Sequence, residues 1–152
     1  MPPLYELAVI SPQRTVYRGK AQSLVAPGAE GYFGVLARHA PMVAALAVGE
    51  LDVVNERGER KRLAVSGGLL EVTWDGVVVL ADGAEPSEEI DVARAQAARQ
   101  RAAERLRSHA ADLDLLRAEA ALQRALNRLR VAEKHRGDTG ALRPPLQTEE
   151  QE

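Results

Sequence analysis

Cysteine is absent from the 152 residues, and with it go a disulfide framework, a thiol nucleophile and any cysteine-based metal site. An excess of charge of one sign is missing too. Twenty Lys and Arg against 22 Asp and Glu leave a formal net charge of −2, which argues against whole-protein attraction to nucleic acid or anionic lipid. No apolar stretch is long enough to cross a bilayer, so any membrane association is expected through a partner. The start, Met1-Pro2-Pro3-Leu4, lacks a basic region followed by an apolar run, and no secretory signal is expected. The three histidines, His39, His109 and His135, lie far apart at no common ligand spacing, so no metal site is expected. The last absence organises the chain: no glycine or proline occurs between Pro86 and Gly137.

Before that gap the hydrophobic rhythm is that of strands, and within it that of helices. Short runs at 4–10, 15–17, 22–26, 43–48, 50–55 and 60–65 are separated by turn residues. Leu51/Val53 and Leu63/Val65 alternate with polar neighbours, as half-buried antiparallel strands do. The run 69–74, the turn Asp75-Gly76 and the run 77–80 form a strong hairpin signal. Ser66-Gly67-Gly68 reads as a second glycine turn. Regular short strands without intervening helices predict a β-sandwich or a flattened barrel over 1–85. Gly28, Gly31 and Gly34 resemble a phosphate-cradling loop only in their spacing, because no helix start follows them. Ser66 with His39 as its base is the one enzyme reading, and it lacks the strand-to-helix elbow that exposes such a serine.

From Ala93 to Lys134 the composition is dominated by Ala, Arg, Leu, Glu and Gln, residues that lose little side-chain entropy in a helix. A helical hairpin is predicted over 86–136, its first helix capped by Ser87 or Asp91 and ending near Ser108. Asp112 then caps a second helix after a short turn, and each helix spans about twenty residues, roughly 30 Å. Leu115, Ala118, Leu122, Ala125, Leu129 and Ala132 make one apolar seam, answered by Ala95, Ala98 and Ala102. At roughly 0.8 kcal/mol per methylene-sized group, alanines in place of leucines forfeit several kcal/mol of docking while keeping helix propensity. Arg124, Arg128, Arg130, Lys134 and Arg136 crowd the end of the second helix. They read either as cations complementing the helix dipole or as a surface for an acidic protein or a nucleotide phosphate. Nucleic acid is not expected there, because no aromatic residue interleaves with them to stack on bases. Residues 137–152 are expected to be a disordered tail.

Several local patterns together resemble one family, the epsilon subunit of rotary F-type ATP synthase, over about residues 4–134. They are Glu30-Gly31 with Phe33-Gly34-Val35-Leu36 and His39-Ala40-Pro41, then Ser66-Gly67-Gly68 with Leu70-Glu71-Val72. Ile90-Asp91-Val92-Ala93-Arg94-Ala95 marks the junction, and Arg124 to Leu129 with Val131-Ala132-Glu133 marks the second helix. The resemblance implies a ten-stranded sandwich and a helical hairpin in a non-catalytic central-stalk subunit. Such a subunit is peripheral on the cytoplasmic face of the bacterial plasma membrane and binds the gamma subunit and the c-ring. It implies that the hairpin can extend toward the catalytic alpha and beta subunits and block ATP hydrolysis.

No cofactor is required, but the resemblance allows a regulatory ATP at Glu85, Ile90, Asp91, Arg94, Arg124 and Arg128. Asp91 reads equally well as a helix cap, with Arg94 as its salt-bridge partner. Two departures bear on the ring contact: Ala37-Arg38 stands where the family carries Pro-Gly, and Tyr32 where it often carries an acid. A reading from another class is a free-standing sandwich adaptor that recruits proteins through its helices.

Overall fold

A computed structural model describes residues 2–108 and 112–141. Strands β1 (Tyr5–Ile10), β2 (Thr15–Gly28), β3 (Gly31–Leu36), β4 (Met42–Asn55), β5 (Arg60–Thr73), β6 (Gly76–Ala81) and β7 (Ala84–Pro86) precede helices α1 (Val92–Arg107) and α2 (Asp112–Ala141). The sheet has seven strands, not ten, because β2, β4 and β5 are each 14 residues long and take up segments that the sequence reads as separate. Its order is β1-β6-β5-β4-β2-β3, and β1 also pairs with β2, so the sheet closes on itself as a flattened barrel.

Alternation decides what the sheet encloses. In β6, Val77, Val79 and Ala81 are buried while Val78 and Leu80 face outward. They join Leu7, Val9, Leu24, Val35, Leu51, Val53, Leu63, Val65 and Leu70 in one core. Ser66-Gly67-Gly68 is not a turn: β5 continues through it without a break. A side chain on Gly68 would place Cβ 2.1 Å from the Leu80 carbonyl oxygen, so glycine lets β5 bend there against β6. In the β5–β6 hairpin Thr73 pairs with Gly76, which makes Trp74 and Asp75 the loop rather than Asp75-Gly76.

Asp91 caps α1 by accepting a 3.0 Å hydrogen bond from the Arg94 amide, while Ser87 belongs to a 3-10 turn before it. Helix α1 has 16 residues and α2 has 30, so the second is longer than its hydrophobic repeat suggested. It passes through Gly137 to Ala141, which corrects the expectation of a tail from 137 onward; residues 142–152 and His109 lie outside the described residues. The helices meet through Ala95 and Ala102 of α1 and Ala118 and Ala125 of α2, all 3 % exposed or less. Leu115, Leu122 and Leu129 are only half-buried.

Candidate functional site: the seat of the second helix

Inward-facing residues of β4 and β5 leave an outward row between them, and that row receives α2. Leu51, Val53, Leu63 and Val65 point into the core, so Glu50, Asp52, Arg62 and Ala64 point out. Glu50 pairs across the strands with Ala64, and Asp52 with Arg62. Ala64 packs with Ile90, Val131 and Ala132 in a small apolar cluster.

Beside this cluster Asn127, 5 % exposed, donates from Nδ2 to the Gly49 carbonyl at 2.8 Å and to the Val65 carbonyl at 3.3 Å. One side chain therefore straddles a β4–β5 pair. Gly49 is required there, since a Cβ would lie 2.5 Å from Pro27 Cβ and 2.7 Å from the Tyr32 hydroxyl. That hydroxyl accepts the Glu50 amide at 3.1 Å, so Tyr32 braces the strand on which the helix sits.

A charged group closes the far end of the seat. Arg62 donates to Glu50 at 2.6 Å and to Asp138 at 2.7 Å, and Lys134 donates to Glu50 at 2.7 Å. Burial pushes the Glu50 carboxyl up, but the hydrogen bonds from Lys134 and Arg62 outweigh it and hold the group below the usual carboxylate range. The Arg62 hydrogen bond likewise lowers Asp138. Neighbouring Asp52 moves the other way, because its desolvation exceeds the attraction of Arg60 and Arg62. Its buried Oδ1 accepts no hydrogen bond, with Arg60 Nε 3.4 Å away.

The residues matched to a nucleotide site divide. Glu85, Asp91, Arg94 and Arg128 line a cleft of about 410 Å³ together with Glu89 and Arg101. Ile90 does not line it and belongs to the apolar cluster under α2. Arg124 lines an adjoining shallow crevice with Asn127 and Ser66, which shares Glu85 and Arg128 with the cleft. Within the cleft Arg128 is paired to Glu85 at 2.9 Å, and the Asp91 carboxylate is engaged as the cap of α1. Arg101 was not singled out in the sequence, although its spacing of seven from Arg94 is the signal that puts both on one helix face.

The basic residues of α2 do not act as one patch either. Arg128 and Lys134 turn to the sandwich, Arg130 is exposed, and no basic residue stands in the last turn, so dipole complementation does not explain them. Ser66 and His39 are not brought together. Ser66 lies beside Gly83 and Glu85, whereas His39 lines a cleft of about 450 Å³ with Leu36, Arg38 and Trp74. Arg38 adopts φ 65°, the left-handed conformation that favours glycine.

A family model described as the beta-sandwich domain of the ATP synthase delta/epsilon chain matches residues 4–87, and its long alpha-helix counterpart matches 88–133. The ATP synthase epsilon chain of Syntrophomonas wolfei is 49 % identical over 102 residues, covering 67 % of this chain and 74 % of that one. That of Symbiobacterium thermophilum is 50 % identical over 107 residues, covering 70 % and 76 %. Among solved structures, a chain of the Euglena gracilis mitochondrial ATP synthase, OSCP/F1/c-ring in rotational state 1, superposes with a TM-score of 0.75 at 27 % identity, covering 88 % of this chain and 83 % of that one. A chain of the Tetrahymena thermophila central stalk and c-ring shares the fold, with a TM-score of 0.52 at 18 % identity over 86 % of this chain and 95 % of that one. With both domains matched in order along the chain, this protein belongs to the delta/epsilon chain family of ATP synthase.

Proposed function

We propose that this chain is a non-catalytic central-stalk subunit of a rotary F-type ATP synthase, whose helices restrain ATP hydrolysis when they leave the sandwich. The sandwich fastens to the gamma subunit and the c-ring, with the end that carries Leu36, Arg38, His39 and Trp74 toward the ring. Among the described residues no helix is long and apolar enough to cross a membrane. The subunit is held peripherally, at the cytoplasmic face of the bacterial plasma membrane, through the complex. The epsilon-chain relatives support this reading over a free-standing adaptor.

The observation that carries the regulatory part is the character of the seat. Apart from Ala64, Ile90, Val92, Val131 and Ala132, α2 is fixed to the sandwich by exchangeable polar contacts, and the helices meet each other through alanine. Such a hairpin is released for a modest free energy and carries its exposed arginines toward the alpha and beta subunits. Hydrolysis by the reconstituted complex, with the helices present and removed, tests the reading: removal should raise the rate.

The cleft between the helices is the seat of a regulatory ATP in this reading. Arg94 and Arg101 from α1 and Arg128 from α2 supply cations from both helices, so a bound phosphate chain bridges them. A bridging ligand favours the docked hairpin only by its difference in affinity between docked and released forms. Calorimetric titration of the purified chain with ATP should give saturable heat that is largely lost in Arg94→Ala. No heat overturns the ATP site, and binding that survives the substitution overturns this placement of it.

A further inference from the structure

We propose that Glu50 and Arg62 of the sandwich and Lys134 and Asp138 of α2 form an electrostatic latch that exchanges partners as the hairpin leaves. It rests on the reading that the hairpin is released, and it adds the device that sets how readily this happens. Lys134 and Asp138 lie beyond the residues that match the family's helical domain, which end at 133.

Besides Arg128 with Glu85 at 2.9 Å, two ion pairs join α2 to the sandwich at the far end of the seat: Lys134 to Glu50 at 2.7 Å, and Arg62 to Asp138 at 2.7 Å. Breaking a buried pair is usually expensive because one charge is stranded. Here neither half is stranded. Glu50 and Arg62, 9 % and 12 % exposed at their side chains, already bond each other at 2.6 Å within the sheet. Lys134 and Asp138 stand one helical turn apart, at the spacing where opposite charges attract on a free helix. At this end of the seat release therefore trades two crossing pairs for one intrahelical pair and leaves each half of the latch electrically neutral. The helix-side groups are about half exposed, 49 % for Lys134 and 46 % for Asp138, so salt weakens the crossing pairs.

The exchange has a signature. Each single substitution, Lys134→Gln or Asp138→Asn, removes one crossing pair and also the intrahelical pair that favours release, so its effect is cushioned. The double substitution removes both crossing pairs and the same intrahelical pair only once. Its effect on the docked-to-released ratio should therefore exceed the product of the single effects, by about 1.5- to 2-fold for an exposed helical pair.

The native chain has no cysteine, and Val131 is 0 % exposed. In a full-length Val131→Cys background the rate of thiol labelling then reports release directly. Lys134→Gln and Asp138→Asn should each raise that rate about two- to five-fold, the range of partly exposed pairs. The double variant should exceed their product, and added salt should accelerate the parent more than the double variant. Both positions are remote from the sandwich core, and unchanged circular dichroism confirms the fold. Rates unmoved by the single substitutions overturn the latch, and a double effect equal to the product overturns the exchange. Labelling that responds as stated while hydrolysis by the assembled complex does not would uphold the latch and overturn the inhibitory reading.

Discussion

A chain ending at Pro86 should fold, assemble with gamma and the c-ring, and let the complex hydrolyse ATP severalfold faster than the intact chain does. The sixteen-residue core, from Leu7 to Ala81, is complete before α1 begins, and β7 still closes against β5 when the cut follows Pro86. What the cut uncovers is slight: Ala64 loses its apolar neighbours Ile90, Val131 and Ala132, and Glu50 keeps Arg62 as a partner. The truncated sandwich should therefore unfold cooperatively. A well-assembled truncated complex with an unchanged rate would contradict an inhibitory role for the helices.

Asn127→Leu should act in the opposite direction. Its amide serves the Gly49 and Val65 carbonyls from a site 5 % exposed, and leucine fills similar space while donating nothing. Leaving a buried acceptor unsatisfied costs about 1–3 kcal/mol, which lowers the docked-to-released ratio by roughly five- to a hundred-and-fifty-fold. Hydrolysis by the complex should fall, because more hairpins are released, while the sandwich within the full-length variant stays folded. Loss of helix docking with no fall in hydrolysis would separate release from inhibition. The contrast with truncation is the useful part: both disturb the same seat, yet one removes the inhibitor and the other frees it.

How much of this was legible depends on what each residue answers to. The inward alternation of Leu51/Val53 and Leu63/Val65 is written locally, and so is the capping of α1 by Asp91. The outward row was legible only as solvent-facing. Glu50, Asp52 and Arg62 carry the pattern of an exposed sheet face, and nothing local says that a helix 76 residues farther on places Asp138 against Arg62. Asn127 gave the least signal, as one amide in a polar helix that becomes decisive only opposite two carbonyls of β4 and β5. Short segments that the sequence separates are joined in the structure for a related reason: glycines that punctuate a sequence let a long strand bend, and Gly68 interrupts the pattern of β5 without ending it. The tail erred because Gly137 weakens a helix without stopping it, and Asp138 gains Arg62 just beyond.

The most direct measurement holds the hairpin down. Because this chain has no native cysteine, Arg62→Cys and Asp138→Cys can be joined by a short thiol-reactive cross-linker with a central disulfide before the chain is assembled into the complex. If release of the hairpin is the inhibitory event, the linked complex should hydrolyse ATP at the rate of the complex truncated at Pro86, and cleaving the linker should restore inhibition. A linked complex that stays as inhibited as its cleaved form would contradict the account.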